Sequence, residues 1–489
     1  MRFFDLAKHA EGEIFGEDCE ILRLSSDSES VEAGALFFCL TGGRYDGHDY
    51  ALSAVKKGAV ALVSEKKMDI PVPQLVVKNT RVALALLSGA FYGEPAKRLK
   101  IIGITGTNGK TTTCHMLAAI LAGAGKKVGI IGTLGVSFSG KNYPCELTTP
   151  DPIPLHKIFA EMFLEGVEYA VMEVSAHAIH YNKIAGIPFT ACIFTNLSQD
   201  HLDFFATMKA YKSTKKKLFL SEACPLAVIN GDDEVGREFG ALRERAGRGK
   251  TAYYGLNTPT DAFAIVTDES LQKTECMLNV NDDVARATLS FTGKHNVYNA
   301  LAATACAKEL GIDVLTSAKS LSRLQGVKGR LERVGVYNGG EIFVDFAHTP
   351  DGLEQSLRAL KLHCKGRLLC LFGCGGNRDK KKRPIMGETV AKICDFGVLT
   401  SDNPRYEDPL DIITDIEKGY RRFSLRYVIV PDRKEAIRYA IDTVKKDDIL
   451  LVAGKGGEGY QEIMGIKYAF NDNDIIGEII KEKENSFFC

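Results

Sequence analysis

Residues 101–113 read IIGITGTNGKTTT and combine a short apolar run, a glycine-rich turn and a Lys-Thr pair. The isoleucines predict a buried strand, and the apolar positions that follow the loop predict a helix ending near Gly123. A glycine turn at a helix N-terminus binds phosphates, because backbone N–H groups can approach and the helix dipole favours anions. In such a loop Lys110 would reach the phosphates and Thr111 would ligand Mg²⁺. The stretch therefore predicts a nucleotide site.

The spacing of this loop departs from the usual G-x-x-x-x-G-K-[ST] pattern, since Ile104 stands where the first glycine is expected. The alternative is a glycine-rich helix start that serves only packing. The order of strand, loop and helix favours the phosphate-binding interpretation.

Two further polar side chains follow apolar runs that predict strands. Glu173 closes the run 168–173, and His201 comes shortly after the run 191–196. A carboxylate at a strand end near a phosphate loop is well placed to hold Mg²⁺, directly or through water. His201 can bind a second cation or contact phosphate. The alternatives are a surface glutamate and a histidine with a structural role.

Charged residues also follow three predicted strands in the last third of the chain, in the loops 373–379, 401–405 and 454–461. Ligands bind beyond the carboxyl ends of strands in doubly wound sheets, so we expect these loops to converge. Arginine binds carboxylates bidentately and carboxylates bind ammonium groups, a combination suited to a zwitterionic amino acid. Exposed salt bridges are the alternative. The charged residues concerned are Arg378, Asp402, Arg405 and Glu458.

Three segments position these residues. Residues 1–98 carry short β-rich runs, glycine turns and one amphipathic stretch, which predict a small N-terminal α/β domain. Residues 99–328 start with the phosphate loop and predict a central P-loop-type ATPase domain. Residues 329–489 alternate strands with helices that start at Pro350, at Pro384, at Pro409 and after Asp432, which predicts a C-terminal Rossmann-like, doubly wound sheet. We therefore expect a three-domain α/β protein.

Composition excludes several classes of protein. Basic and acidic residues balance at 62 each, so no bulk charge attracts nucleic acid. No apolar run reaches the roughly 18 residues of a membrane span, and the start lacks a secretory signal. The 13 cysteines contain no C-x-x-C pair and predict buried thiols in a reducing cytoplasm. We expect a cytoplasmic protein with no nucleic-acid partner.

Motifs spread over most of the chain resemble, taken together, those of the Mur ligase superfamily. They are GTNGKTT (106–112), MEVS (172–175), DHLD (200–203), HNVYN (295–299), GR (329–330) and DFAHTP (345–350). More narrowly, a second set resembles the MurE type of that superfamily. These are DS (27–28), TTP (148–150), GCGGNR (373–378) and DNPR (402–405).

The resemblance implies an ATP-dependent amide ligase of peptidoglycan precursor synthesis. Its substrates would be UDP-N-acetylmuramoyl-L-alanyl-D-glutamate and meso-2,6-diaminopimelate. ATP would phosphorylate the γ-carboxylate of D-glutamate, and the amine of the incoming amino acid would then displace phosphate. The implied cofactors are ATP and Mg²⁺, and we expect a monomer.

Similarity also implies roles for individual residues. The catalytic residues would be Lys110, Glu173, His201 and Lys215, the last of them carbamylated. A carbamate turns a cation into an anion able to help hold Mg²⁺, so the metal ligands would be Thr111, Glu173, His201 and Lys215. The ATP-binding residues would be Gly106, Thr107, Asn108, Gly109, Lys110, Thr111, Thr112, Asn296, Asn299, Arg330, Asp345 and His348.

The two remaining ligands are assigned in the same way. The UDP-muramoyl-dipeptide would contact Ser28, Gly43, Arg44, Thr148, Thr149, Ser175 and Lys183. The amino acid would contact Arg378, Asp402, Asn403, Pro404, Arg405, Gly454 and Glu458. Arg405 would pair with the distal carboxylate that lysine lacks, and an unpaired arginine would reject lysine.

Three positions depart from the pattern of many relatives. Lys183 replaces an arginine, Tyr181 replaces a glutamine, and GKGGEGYQ (454–461) replaces GKGHEDYQ. Two alternative functions remain open. One is a sibling ligase that adds lysine, ornithine or another amino acid, against which Arg405 argues. The other is a non-catalytic nucleotide-binding regulator, against which the intact catalytic set argues.

Overall fold

The computed structural model describes residues 1–43 and 45–486. The N-terminal part alternates short strands and short helices, as predicted. Its elements are α1 (Phe3–Ala7), β1 (Gly12–Phe15), β2 (Arg23–Ser25), β3 (Ala35–Phe38), a 3₁₀ turn (Gly47–Tyr50), α2 (Ala51–Lys56), β4 (Ala59–Ser64), β5 (Gln74–Val77), α3 (Thr80–Phe91) and a second 3₁₀ turn (Pro95–Lys97).

The middle of the chain contributes eleven strands and eight helices. They are β6 (Lys100–Thr105), α4 (Lys110–Gly123), β7 (Val128–Gly132), β8 (Gly135–Phe138), β9 (Lys141–Tyr143), α5 (Pro152–Leu164), β10 (Tyr169–Glu173), α6 (Ala176–His180), β11 (Phe189–Phe194), α7 (Leu202–Phe205), α8 (Met208–Leu220), β12 (Leu226–Asn230), α9 (Glu234–Arg245), β13 (Lys250–Gly255), β14 (Ala262–Glu269), β15 (Thr274–Val280), β16 (Asp283–Leu289), α10 (Lys294–Glu309) and α11 (Val314–Arg323).

The last part alternates strands and helices as the sequence predicts. Its elements are β17 (Glu332–Tyr337), β18 (Gly340–Asp345), α12 (Pro350–Lys361), β19 (Leu368–Phe372), α13 (Lys382–Ile393), β20 (Phe396–Leu399), α14 (Pro409–Tyr420), β21 (Tyr427–Ile429), α15 (Arg433–Thr443), β22 (Ile449–Ala453), β23 (Tyr460–Ile463), β24 (Ile466–Ala469) and α16 (Asp472–Ser486). Helix α13 begins two residues before the predicted Pro384. The proline lies in the first turn, where its missing N–H removes no helical hydrogen bond.

Contacts between residues group the described chain into two compact units. The first unit comprises residues 1–103, 126–192 and 217–226, and the second comprises 104–125, 193–216 and the chain from 227 onward. These units do not coincide with the three segments read from the sequence. The segment boundaries at 98 and 328 therefore stay a prediction.

The first unit contains a five-stranded sheet in the order β1-β5-β4-β3-β2. Its strands are parallel apart from the antiparallel pair of β1 and β5. Phe38, Val63 and Leu75 pack with Leu84 and Leu87 of α3 in the core on one face. In the same unit β10 runs parallel to β7, while β7, β8 and β9 form antiparallel pairs. Glu173 consequently ends β10 beside the end of β7.

The second unit contains a six-stranded sheet in the order β17-β18-β22-β19-β20-β21. Strands β17 and β18 are antiparallel, and the other four neighbouring pairs of this sheet are parallel. Apolar residues of α12, α13 and α14 cover one face, and those of α15 and α16 cover the other. The sheet is therefore doubly wound, as predicted. Because β22, β19 and β20 are parallel, the loops 373–379, 401–405 and 454–461 leave the same edge.

Two expectations from composition can be compared with the structure. None of the helices within residues 1–43 and 45–486 has the length and apolarity that crossing a membrane requires. All twelve described cysteines are free thiols, and nine of them are buried. Buried thiols of this kind behave as small apolar side chains.

His156, on α5 of the first unit, is a buried histidine without polar support. Its side chain is 3% exposed, and neither ring nitrogen has a hydrogen-bond partner among the described residues. Burial lowers the pKa of His156 from 6.5 to about 4, although the charge of Glu94 acts in the opposite direction. The folded state therefore keeps the ring neutral at a pH where the unfolded chain protonates it.

Replacing this histidine should change how stability depends on pH. The lowered pKa makes the wild type lose stability as pH falls from 6.5 towards 4, and His156→Leu should abolish that loss. Between pH 7 and pH 5 the wild type should lose about 2 kcal/mol more than the variant. Denaturant unfolding at both pH values measures the difference. Equal losses in the two proteins would contradict the account.

Candidate active site

The predicted phosphate loop lies between the end of β6 and the start of α4 in the second unit. Asn196 fixes its backbone, because its carbonyl oxygen accepts from Thr107 N at 2.9 Å and its Oδ1 accepts from Asn108 N at 2.9 Å. Gly109 has φ +84°, and a Cβ there would lie 2.4 Å from Oδ1 of Asn299. Only glycine combines that backbone conformation with so close an approach.

Two lysines donate to a single carbonyl oxygen of this loop. Nζ of Lys110 lies 3.0 Å and Nζ of Lys215 lies 2.9 Å from the carbonyl oxygen of Gly106. Lys215, on α8, is 1% exposed, and it also donates to Oγ1 of Thr105 at 3.3 Å. Burial lowers the pKa of Lys215 well below its usual value, and the charge of Lys110 acts in the same direction, against Asp200. Both effects therefore shift the Lys215 amine towards its neutral form.

Three side chains on α4 and α10 form a series of hydrogen bonds that starts next to the loop. Oγ1 of Thr113 donates to Oδ1 of Asn299 at 3.3 Å, and Nδ2 of Asn299 donates to Oδ1 of Asn296 at 3.3 Å. Nδ2 of Asn296 in turn donates to the carbonyl oxygen of Thr292 at 2.8 Å. Thr112, also on α4, is buried. The structure therefore brings both predicted asparagines to the loop.

Arg330 also reaches the loop, because its Nη2 donates to Oγ1 of Thr111 at 2.7 Å. Its guanidinium lies 4.3 Å from the ring centroid of Phe346, a cation–π contact that fixes its direction. The carboxylate of Asp345 accepts from the backbone N of Leu331 at 2.6 Å and of Ala347 at 2.8 Å. Asp345 therefore organises the turn that carries Arg330.

Asp200 is the centre of a buried polar cluster in the second unit. It is 5% exposed and lies 3.2 Å from Nζ of Lys382, 3.3 Å from Nε2 of His201 and 3.7 Å from Nε2 of His348. Burial raises the pKa of Asp200, but Lys382 and the two histidines outweigh it and leave the pKa well below the usual value. The sequence did not single out Lys382, which stands in the lysine run 380–382 and resembles a solvated lysine.

In the first unit the structure brings Glu173 together with three predicted substrate contacts. Its Oε1 accepts from Thr133 N at 2.8 Å, and Thr133 Oγ1 lies 3.1 Å from Thr148 Oγ1. Oγ1 of Thr149 donates to the Glu173 carbonyl oxygen at 2.8 Å and accepts from Ser175 N at 3.0 Å. Hydroxyl-bearing residues of three segments therefore contact this buried strand end.

A cavity of about 220 Å³ lies in the same unit and is lined by Tyr181 and Lys183. Nζ of Lys183 pairs with Asp151 at 2.7 Å, and the guanidinium of Arg81 lies 4.4 Å from the ring centroid of Tyr181. Arg81, which the sequence did not single out, thus contacts one of the departures from the family pattern. Ser28 offers its carbonyl oxygen to Lys57 at 2.9 Å.

Gly43 and Arg44 are two further residues predicted to contact the UDP-muramoyl-dipeptide. Gly43 is exposed in a turn, and a Cβ there would meet nothing within 4 Å. Arg44 lies outside the described residues.

The predicted amino-acid pocket is tied together by a buried lysine that the sequence did not single out. Nζ of Lys455 donates to Oδ1 of Asn403 at 3.0 Å and to Oε2 of Glu458 at 3.1 Å. Nδ2 of Asn403 donates to the same Glu458 oxygen at 3.0 Å, and Gln461 donates to the carbonyl oxygen of Asp402 at 2.7 Å. The loops 401–405 and 454–461 thus converge as predicted.

The third loop fits against Pro404 and Arg405 through two glycines. A Cβ on Gly376 would lie 1.8 Å from the carbonyl oxygen of Pro404, and one on Gly375 would lie 2.9 Å from Nη1 of Arg405. Arg405 itself pairs with Glu462 at 3.0 Å, while Arg378 is exposed. The two glycines therefore allow the Asp-Asn-Pro-Arg turn to pack closely against this loop.

The donor chemistry can be compared with what Mg²⁺ requires. Within residues 1–43 and 45–486, no group of three or more His, Cys, Asp or Glu side chains could hold a metal ion by itself. Mg²⁺ bound with a nucleotide usually takes one or two protein ligands and completes its shell with phosphate oxygens and water. A hydroxyl such as that of Thr111 and single carboxylates suit that mode.

A glycine-rich loop at a helix N-terminus, followed along the chain by a doubly wound sheet with charged loops at one edge, is typical of nucleotide-binding α/β proteins. Family profiles described as "Mur ligase family, catalytic domain", "Mur ligase middle domain" and "Mur ligase, glutamate ligase domain" match residues 20–92, 104–307 and 329–456. The chain belongs to the Mur ligase family.

Individual relatives narrow the comparison. A UDP-N-acetylmuramoyl-L-alanyl-D-glutamate–2,6-diaminopimelate ligase from Geobacillus thermodenitrificans is 40% identical over 96% of each chain. A solved structure of a ligase of the same name has a TM-score of 0.67 and 30% identity, covering 95% of each chain. The MurF ligase from Thermotoga maritima, solved with ADP, has a TM-score of 0.63 and 22% identity, covering 95% of this chain and 98% of the other, and shares the fold.

Two glycines with nearly the same backbone conformation provide a test of the phosphate loop. Gly109 has φ +84° against Asn299, whereas Gly311 has φ +86° with nothing within 4 Å of a Cβ. Alanine at either position should destabilise the protein by about 1 kcal/mol through the left-handed backbone. Only Gly109→Ala should also displace Asn299 and weaken ATP binding, by about tenfold or more. Calorimetric titration with ATP and thermal melts separate the two effects, and equal ATP affinities would contradict the site.

Proposed function

We propose that this chain joins meso-2,6-diaminopimelate to the D-glutamate of UDP-N-acetylmuramoyl-L-alanyl-D-glutamate, using ATP. The observation that carries the proposal is 40% identity over 96% of both chains to a ligase of that name. The phosphate loop with its two lysines and the converging charged loops supply the groups this chemistry needs. The reaction belongs to peptidoglycan precursor synthesis, and we propose that the protein acts in a bacterial cytoplasm.

The proposed reaction has two steps. A γ-carboxylate oxygen of D-glutamate attacks the γ-phosphorus of ATP, the bond to the bridging β–γ oxygen breaks, and ADP leaves. The amine nitrogen of the amino acid then attacks the acyl carbon, and the tetrahedral intermediate expels phosphate and loses a proton as the amide forms. Phosphoryl transfer needs positioning and charge neutralisation more than covalent help.

The second unit would bind the nucleotide. Lys110 would hold the transferred phosphoryl group, and the backbone N–H groups of the loop would bind the neighbouring phosphates. Arg330, already bonded to Thr111, would add positive charge at the same place. The other ATP contacts we assign are Gly106, Thr107, Asn108, Gly109, Thr112, Asn296, Asn299, Asp345 and His348.

In the second unit, Thr111, His201 and Lys215 would be Mg²⁺ ligands. In the first unit, we assign Glu173 as a Mg²⁺ ligand. The ion neutralises charge on the phosphate oxygens when it is bound. Asp200, with Lys382 and His348 around it, would hold His201 in a fixed direction.

Lys215 would act as a carbamate. The neutral amine that its burial favours can attack the carbon of CO₂, forming an N–C bond and releasing one proton. The product is an anion in place of a cation next to Lys110. It removes the repulsion between the two ammonium groups and supplies oxygen ligands.

The remaining residues would choose the substrates. For the UDP-muramoyl-dipeptide we assign Ser28, Gly43, Arg44, Thr148, Thr149, Ser175 and Lys183. For diaminopimelate we assign Arg378, Asp402, Asn403, Pro404, Arg405, Gly454 and Glu458. Arg405 would bind the distal carboxylate, which sets diaminopimelate apart from lysine. The protein would act as a monomer.

Phosphate release from ATP tests the function. The assay contains the UDP-muramoyl-dipeptide and, in separate reactions, meso-diaminopimelate, L-lysine or L-ornithine. We expect diaminopimelate to stimulate release most. Stimulation by none of the three would overturn the ligase assignment, whereas stimulation by lysine alone would overturn only the choice of amino acid.

Arg405→Ala should damage amino-acid binding selectively. Loss of one partner of a charge pair should raise the KM for diaminopimelate about a hundredfold and leave the KM for ATP unchanged. Arg421→Ala, at an exposed arginine after α14, is the matched control. A change confined to the KM for ATP would contradict the role of Arg405.

Lys215 should make activity depend on dissolved CO₂. Removing CO₂ and bicarbonate should lower kcat in the wild type, and adding bicarbonate should restore it. Lys215→Gln should be inactive and should not respond. Carbon NMR with labelled bicarbonate should show a carbamate signal in the wild type alone. A CO₂-independent wild type without that signal would contradict the carbamate.

A further inference from the structure

Arg405 occupies a backbone conformation that its neighbours must support. Its φ of +53° is left-handed, which is unfavourable for a residue with a Cβ. Strand β23 supports it, because Arg405 N donates to the carbonyl oxygen of Glu462 at 3.0 Å and Met464 N donates to the carbonyl oxygen of Arg405 at 2.7 Å. The backbone of the arginine is thus fixed by the strand that carries Glu462.

The same glutamate also holds the side chain. Nε of Arg405 pairs with Oε2 of Glu462 at 3.0 Å, and Nη1 donates to the carbonyl oxygen of Gly376 at 3.0 Å. The side chains of Arg405 and Glu462 are 17% and 21% exposed, so solvent screens this pair only partly. An arginine has five N–H donors, and the hydrogen bond to Gly376 uses one of them, on Nη1, while the contact of Nε with Glu462 is an ion pair. The Nη2 edge is not engaged by either contact.

Glu462 is itself anchored to the candidate pocket. Its backbone N donates to Oδ1 of Asn403 at 2.9 Å, the same oxygen that accepts from Lys455. The glutamate therefore links Arg405 to the network around Glu458. An arginine held at two atoms before ligand binds loses little side-chain freedom on binding.

We propose that Glu462 is a positioning residue for Arg405, which it fixes at Nε so that the free guanidinium edge meets the distal carboxylate of diaminopimelate. This inference rests on the proposed function. Glu462 does not touch the reacting atoms, so it should affect recognition of the amino acid and leave phosphoryl transfer unchanged. Its removal should let the guanidinium move and weaken binding.

The test uses Glu462→Ala and Glu462→Gln in the full-length chain. The alanine variant should raise the KM for diaminopimelate about tenfold, the effect of losing one partly buried ion pair, with little change in kcat or in the KM for ATP. The KM of the glutamine variant should rise less, because its amide oxygen keeps part of the negative charge that faces Nε. Calorimetric titration with diaminopimelate should show the same order of affinities.

Glu482→Ala is the matched control, since it removes an arginine ion pair of 2.9 Å with Arg438 on the surface. It should leave every KM unchanged. A KM for diaminopimelate that stays unchanged or falls in Glu462→Ala would overturn the inference, as would an equal rise in the KM for ATP. A wild type that diaminopimelate does not stimulate would overturn the proposed function and this inference together, whereas an active wild type with a normal Glu462→Ala variant overturns the inference alone.

Discussion

The carbonyl oxygen of Gly106 accepts hydrogen bonds from two lysine side chains, Lys110 and Lys215. The proposed chemistry of the second unit depends on that contact. Two ammonium groups cannot share one oxygen without repulsion, so burial and Lys110 together drive the pKa of Lys215 down. The loop keeps its shape because Asn196 binds its backbone and Asn299 lies close to Gly109. The proposed phosphate site and the proposed role of Lys215 both depend on this geometry.

The doubly wound sheet carries the second proposed site, which would bind the amino acid. Parallel strands bring three loops to one edge, and buried Lys455 joins two of them through Asn403 and Glu458. In the third loop, the glycines at 375 and 376 leave space for Nη1 of Arg405 and for the carbonyl oxygen of Pro404. Charged groups are fixed there by packing and by one another, so the proposed amino-acid site would need little rearrangement on binding.

Much of the fold could be predicted from the sequence, because apolar runs, prolines and glycines mark the strands, helix starts and turns. The phosphate loop was predictable for the same reason. Lys215 was not predictable from pattern, because it stands in a lysine-rich helix and only tertiary packing buries it. Lys382 and Glu462 were missed because their partners, Asp200 and Arg405, lie far away in the chain. Periodicity carries no information about such pairs.

The central claim is that the phosphate loop activates a carboxylate as an acyl phosphate. Isotope transfer tests it directly, with ¹⁸O placed in the γ-carboxylate of the D-glutamate of the UDP-muramoyl-dipeptide. The attacking oxygen stays on phosphorus when the amine displaces phosphate, so we predict one ¹⁸O atom in each phosphate released with diaminopimelate. Mass spectrometry of the phosphate reads the result. Phosphate that carries no ¹⁸O while the amide product forms would contradict the account.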